Sequence, residues 1–160
     1  MASDAKLTKI HVELPNNPGM GGESMWAVDL GDDLYELRNV AFHAYDLNFG
    51  DIVRATADSP ALKPQIRNVE RRSGHRTLRV FFDESVTEER MLELLGSLAL
   101  LSASFERATE RYFALDLEPE ADVAKVRAIL DKWERQGWSA YETCEARVPG
   151  SFDYRPEEEA

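Results

Sequence analysis

Hydrophobic and polar residues alternate along residues 9–72, and no other feature limits the possible folds of this chain as strongly. Residues 9–14 (KIHVEL) place their three aliphatic side chains on one side of an extended backbone. The 3.6-residue period of an amphipathic helix does not occur in residues 9–72. Glycine, proline, asparagine and aspartate separate five short segments of this kind. They predict a small antiparallel β-barrel-like lobe over residues 8–72.

The pattern changes after Gly74, where segments with helical periodicity begin to appear between strands. The first helix is predicted over about residues 86–97, with Ser85 as its N-cap and Glu88 completing a capping box. The second helix is predicted to open near Pro119, because proline is tolerated in a first helical turn.

The predicted order after Gly74 is strand, helix, strand, strand, helix, strand. This order is typical of a ferredoxin-like βαββαβ lobe, in which a four-stranded antiparallel sheet carries both helices on one face. We predict such a lobe over residues 73–148, so the fold class is α+β with two lobes. Residues 149–160 end in three glutamates and predict an acidic tail.

The net charge of −11 limits the partners that the chain can take. An acidic surface repels nucleic acid phosphates and anionic lipids, so neither nucleic acid nor membrane is an expected partner. A basic protein is the expected macromolecular partner. Cys144 is the one cysteine, which excludes an intramolecular disulfide. With an N-terminus that lacks a signal-peptide pattern, this predicts a cytoplasmic protein.

Positive charge is concentrated in residues 63–79, where six basic residues accompany a single acid, Glu70. Arg71, His75 and Arg79 are candidates for binding an anionic ligand, since guanidinium groups bind carboxylate and phosphate through paired hydrogen bonds. Arg71 and Arg79 would meet if residues 65–71 formed a hairpin with residues 76–82. The alternative is that these arginines pair with the carboxylates of an acidic surface.

A second group of candidate ligand-binding residues comes from the first lobe. We predict that these residues line a pocket at the lobe junction together with His75, where an imidazole and a carboxylate would form an acid–base pair. Each residue also has a structural explanation: a strand tryptophan is usually core, and an aspartate after glycine usually accepts hydrogen bonds in a turn. The group consists of Glu23, Trp26, His43, Tyr45 and Asp51.

No metal site or cofactor is predicted. The three histidines, His11, His43 and His75, lie on separate segments, and the chain contains neither an HExxH motif nor a cysteine cluster. The glycines of residues 15–24 do not form a phosphate-binding pattern.

Three strings in the chain resemble an uncharacterised bacterial family, domain of unknown function family 4265. They are ESMWA (23–27), FHAYDLNFGDIV (42–53) and RSGHRTLRV (72–80). The resemblance would extend over about residues 8–146. It implies a two-part layout and supplies no catalytic residues, cofactor or activity.

Three functions remain open from the sequence. The first is a non-enzymatic cytoplasmic binding protein that docks a basic protein through its acidic surface, as an immunity protein or antitoxin would. The second is a sensing or accessory domain that binds a small anionic ligand near Arg71, His75 and Arg79. The third is an enzyme in which His43 or His75 works with Asp51 or Glu23 as an acid–base pair.

Overall fold

A computed structural model describes residues 6–17 and 19–153 of the chain. Two α-helices, α1 (Glu88–Ser97) and α2 (Val123–Arg135), and a 3-10 helix at Leu98–Leu101 lie within these ranges. The strands there are β1 (Leu7–Leu14), β2 (Gly21–Gly31), β3 (Leu34–Leu37), β4 (Ile52–Thr56), β5 (Gln65–Arg71), β6 (Arg76–Phe82), β7 (Ala103–Arg107), β8 (Tyr112–Leu117) and β9 (Ser139–Thr143). The structure confirms a mixed α+β chain with mostly antiparallel sheets and two α-helices. Of the predicted acidic tail, residues 154–160 lie outside the described residues.

The first five strands pair in chain order, each antiparallel to the next. β5 then returns to β1 through one pair, His11 with Gln65, which closes the ring of hydrogen-bonded neighbours. This closing pair is parallel, so the prediction of a wholly antiparallel lobe is wrong there. Side chains that alternate along the strands point into the ring and form its core, among them Ile10, Met25 and Val53.

The last four strands form a second sheet in the order β7-β8-β6-β9, and all its neighbours are antiparallel. Leu78, Val80 and Phe82 alternate along β6 and pack against buried residues of both helices, such as Leu95 and Leu130. One core therefore lies between the helices and one face of this sheet.

Both predicted helix starts are too early. The hydroxyl of Thr87 caps α1 by accepting the backbone N–H of Arg90 at 3.2 Å, whereas Ser85 donates its hydroxyl proton to Asp83 at 2.5 Å. α2 begins after Asp122, whose carboxylate accepts the N–H of Lys125 at 3.1 Å. The capping-box assignment fails because Glu88 is already the first helical residue of α1.

Residues 65–71 and 76–82 do not form the hairpin that would bring Arg71 and Arg79 together. β5 has its two edges occupied by β4 and β1, while β6 lies between β8 and β9 in the other sheet. Residues 72–75 therefore cross from one lobe to the other, and Arg71 lies opposite Ile52 in the first lobe rather than beside Arg79.

Part of the first lobe covers the helix-free face of the second sheet. The Tyr112 hydroxyl donates to the carbonyl of Phe42 at 2.6 Å, and Glu106 accepts the N–H of Val40 at 3.0 Å. Thr77 donates to the side chain of Asn48 at 2.9 Å. The segment 40–50 thus forms the lobe junction, and it leaves another part of that sheet face uncovered.

Within residues 6–17 and 19–153, neither α-helix combines the length and the apolar character needed to cross a bilayer.

Candidate functional site

Glu23 binds the backbone of the first-lobe segment at the junction. Its side chain is buried, and its carboxylate accepts the backbone N–H groups of Phe42 at 2.8 Å, His43 at 2.9 Å and Ala44 at 2.8 Å. These three N–H groups belong to a segment without regular secondary structure, so they have no backbone acceptors of a helix or sheet. The carboxylate of Glu23, on β2, accepts their hydrogen bonds instead. Glu23 therefore fixes the backbone that faces the second lobe.

Arg79 binds the same first-lobe segment from the second sheet. Its side chain is 1% exposed, and Nη1 donates to the carbonyls of Ala41 at 3.2 Å and Ala44 at 2.8 Å. Nε donates to Glu142 at 3.1 Å, and the guanidinium lies 4.7 Å from the ring centroid of Tyr45. Arg79 is therefore a buried charge that ties the second sheet to the first lobe, rather than a surface cation.

Tyr45 belongs to the same network. Its hydroxyl donates to Glu142 at 2.8 Å, and burial raises the pKa of the phenol. Arg147 packs on the ring at 4.4 Å and also pairs with Glu142 at 3.3 Å. Glu142 is therefore shared by two guanidinium groups and one phenol.

Asp51 holds the crossing between the lobes. It is fully buried and accepts the N–H of Asn48 at 3.0 Å and that of Ser73 at 2.8 Å, with Arg72 at 3.4 Å. Gly50 precedes it with φ +82°, and a Cβ there would lie 3.1 Å from Ser73 Cβ. Asp51 thus acts as a turn acceptor that also anchors the next lobe.

His75 lies beside a carboxylate that the sequence analysis did not select. Nδ1 of His75 is 2.8 Å from Oδ1 of Asp116, and the ring of Phe49 lies 5.3 Å away, centroid to centroid. Burial raises the pKa of Asp116, and the hydrogen bond to His75 partly offsets this rise. The signal for Asp116 was present, because an aspartate inside the apolar string FALDL must find a polar partner when it is buried.

A groove of about 470 Å³ opens next to His75 at the lobe junction. Its rim combines side chains from the crossing segment, β6 and α2, and it carries three arginines besides His75. All three arginines have carboxylate neighbours: Arg72 pairs with Asp46 at 2.9 Å, Arg76 pairs with Glu145 at 3.8 Å, and Arg127 lies near Tyr141, Asp131 and Glu145. The polar lining residues are Asp46, Asn48, Arg72, His75, Arg76, Thr77, Arg127, Thr143 and Glu145.

Of the eight predicted ligand-binding residues, His75 lines this groove and the other seven do not. Four of the seven make the contacts at the lobe junction described above, and the other three are placed as follows. Trp26 is 44% exposed and carries the amine of Lys9 at 5.0 Å, so its assignment to the core is wrong. Arg71 is exposed on β5 and does not line the groove. His43 stacks on Tyr112 with centroids 6.1 Å apart, and it meets Glu23 only through its backbone N–H.

The carboxylate that contacts the imidazole of His75 is therefore Asp116, rather than the predicted Asp51 or Glu23. Cys144 also lines the groove, but burial raises the pKa of its thiol to about 12. A thiol with such a pKa stays protonated near neutral pH and is not a nucleophile. Among the residues that the structure describes, no three His, Cys, Asp or Glu side chains form a group that could hold a metal ion.

The three strings that carry the family resemblance meet at this junction. Glu23 from the first string binds the backbone of the second, and Asp51 from the second binds Ser73 from the third. Arg79, also from the third string, reaches back to the carbonyl of Ala44. Side chains from all three strings thus make contacts at the lobe junction.

The fold is similar to that of a hypothetical protein from Neisseria gonorrhoeae seen in a crystal structure, with a TM-score of 0.74 and 16% sequence identity. The similarity covers 88% of this chain and 95% of that chain, and at this identity it shows the fold alone. No curated protein matches the chain. A family model described as Domain of unknown function (DUF4265) matches residues 23–141, which is most of the chain, and the chain therefore belongs to that family.

Proposed function

We propose that this protein is a non-enzymatic binding domain that holds a small anion, a carboxylate or a phosphate, in the groove at the lobe junction. The observation that supports the proposal is the convergence of Arg72, His75, Arg76 and Arg127 on one cavity of about 470 Å³ in a chain of net charge −11. That volume lies in the range of sites for small metabolites.

The contacts of these side chains suit a ligand with negative charge. Arg127 is exposed on α2 and lines the groove, with Tyr141 beside it. Asp116 occupies Nδ1 of His75, and none of the described residues forms a hydrogen bond with Nε2. An acceptor in the groove would therefore meet guanidinium donors from separate elements and, when the imidazole is doubly protonated, the Nε2–H of His75.

Arg127→Ala tests the proposal, with Arg135→Ala as the matched control. Both arginines are exposed on α2, but only Arg127 lines the groove. We expect Arg127→Ala to weaken binding of inorganic phosphate or succinate about tenfold in isothermal titration calorimetry, because one charge-assisted contact is worth about 1.5 kcal/mol. Arg135→Ala should leave the affinity within about twofold. Equal affinities for the two variants, or no binding by the unmodified protein, would contradict the proposal.

A basic protein partner is a second candidate, favoured by the net charge of −11. In this case the protein would act as an immunity protein or antitoxin does, by docking its acidic surface on a basic protein. We expect affinity capture from the native cytoplasm at low salt to retain one basic protein in stoichiometric amount, and high salt to release it. Capture of no basic protein at low salt would exclude this candidate.

The enzyme hypothesis stays a prediction. The pair of His75 and Asp116 has the geometry of an oriented general base, but the groove does not offer an activated nucleophile, since its thiol is held protonated.

The proposal also includes the class of each lobe and the place where the protein works. The ring of β1 to β5 supports a small β-barrel over residues 8–72. The order β7-β8-β6-β9, with α1 and α2 on one face, supports a ferredoxin-like lobe over residues 73–148. A cytoplasmic location is supported by the free, buried thiol of Cys144.

A further inference from the structure

The uncovered part of the second sheet face carries two aromatic side chains on its central strands. Phe81 of β6 and Tyr112 of β8 are direct cross-strand partners, and their ring centroids are 6.3 Å apart. Phe81 is 55% exposed, which is unusual for a large aromatic residue in the middle of a sheet. These rings form an aromatic surface that the first lobe leaves open.

A shallow depression of about 240 Å³ lies beside these rings. It exists because Ala140 of β9 is the cross-strand partner of Phe81 on its other side, and a methyl group does not fill the space there. The volume suits one small ring system rather than an extended ligand. Its lining residues are Arg79, Phe81, Tyr112, Ala140, Tyr141 and Glu142, and none of them lines the groove near His75.

The ring of Tyr112 is held in place before any ligand arrives. Its hydroxyl donates to the Phe42 carbonyl at 2.6 Å, and the imidazole of His43 stacks against the ring at 6.1 Å with an interplanar angle of 28°. Stacking a ligand on a ring that is already fixed costs little side-chain entropy. The surface is therefore preorganised for a flat group.

Arg79 lines this depression with a guanidinium that is not fully satisfied. The side chain is 1% exposed, yet its Nη2 forms no hydrogen bond with any described residue. A buried donor without an acceptor is unfavourable, so an acceptor supplied from outside would stabilise it. The nearest carboxylate, Glu142, is shared between Arg79 and Arg147, which leaves positive charge uncompensated.

We propose that this depression is a second binding site, for a small aromatic carboxylate. The flat ring would stack on Phe81 and Tyr112, and the carboxylate would point toward the guanidinium of Arg79. A nucleic acid strand is the less suitable occupant, because the net charge of −11 repels its backbone.

Indole-3-carboxylate is a suitable probe, and neutral indole is the matched compound without the charge. We expect nuclear magnetic resonance titration to show binding of indole-3-carboxylate with shifts of the Tyr112 and Ala140 backbone amides, and indole to bind about tenfold more weakly. Equal affinity for the two compounds would contradict the role of Arg79. Binding of a single-stranded oligonucleotide without binding of indole-3-carboxylate would contradict the choice of ligand.

Two substitutions test the depression in opposite ways. Phe81→Ala removes a stacking ring, and Ala140→Leu fills the space, so each should weaken indole-3-carboxylate binding about tenfold. Leu100→Ala removes an apolar side chain that is 93% exposed on the 3-10 helix, and it should leave binding unchanged. Unchanged affinity in both site variants, with melting temperatures equal to that of the unmodified protein, would overturn the proposal. Arg127→Ala should leave indole-3-carboxylate binding unchanged, because Arg127 does not line the depression. The proposal for the depression and the proposal for the groove can therefore be tested independently.

Discussion

Replacing Arg79 by methionine is expected to lower the free energy of unfolding by about 3 kcal/mol, one of the two largest effects that we anticipate for a single residue. Methionine preserves much of the buried volume but cannot donate to the carbonyls of Ala41 and Ala44, which would lose their side-chain donor. Glu142 keeps Tyr45 and Arg147 as partners and is partly exposed, so its share of the loss is small.

Urea denaturation measures this loss, and Arg71→Met is the control. Arg71 belongs to the same basic segment but is exposed on β5, so its substitution should change the free energy of unfolding by no more than about 0.5 kcal/mol. If the two variants were equally stable, Arg79 would not be the residue that ties the lobes together.

Glu23→Ala is expected to have a similar effect, about 3 kcal/mol in the free energy of unfolding. The substitution leaves three backbone N–H groups, those of Phe42, His43 and Ala44, without their acceptor at the lobe junction. Thermal and urea unfolding should both report the loss, and hydrogen exchange of these three amides should accelerate.

Glu13→Ala provides the comparison for Glu23. Glu13 lies on the neighbouring strand β1, its side chain is 66% exposed, and it pairs with His11 at 3.7 Å. Removing its side chain should change stability by at most about 0.5 kcal/mol. A Glu23→Ala variant with unchanged protection of the Ala44 amide would show that another group holds this segment.

The order of strands and helices could be predicted from the sequence because it depends on local periodicity. Residues 52–56 and 76–82 alternate cleanly, and the structure gives strands with those same bounds. The ends of the helices were harder to predict, since Ser85, Thr87 and Asp122 are all competent N-caps and the choice between them depends on the packing of the whole lobe.

The partners of the candidate site residues could be predicted only in part. That His75 lies at the lobe junction follows from its position next to Gly74, where the sequence pattern changes, whereas the contact of Asp51 with Ser73 depends on the folded chain. Asp116 and Glu142 are 41 and 63 residues away from the side chains that they contact, and periodicity carries no information about such pairs. The exposure of Trp26 could not be predicted, because alternation along β2 shows that its two faces differ but not which face is buried. That choice depends on the register of β2 with its neighbour β1.

The concentration of positive charge in residues 63–79 has a physical explanation in the structure. Arg72 and Arg79 each cross the lobe boundary, Arg72 to Asp46 and Arg79 to the carbonyl of Ala44. His75 and Arg76 then face the groove beside them. The same short segment therefore joins the lobes and supplies most of the charge of the candidate anion site.

The most direct test of the proposed function is the response of His75 to an anion. In nuclear magnetic resonance spectra that follow the imidazole nitrogens, adding inorganic phosphate or succinate at constant pH and ionic strength should shift Nε2 of His75 saturably. His11, which lies on β1 away from the groove, should not shift. A saturable shift confined to His75, and weakened in Arg127→Ala, is the result that the groove predicts. No shift at His75, or equal shifts at both histidines, would contradict anion binding in the groove.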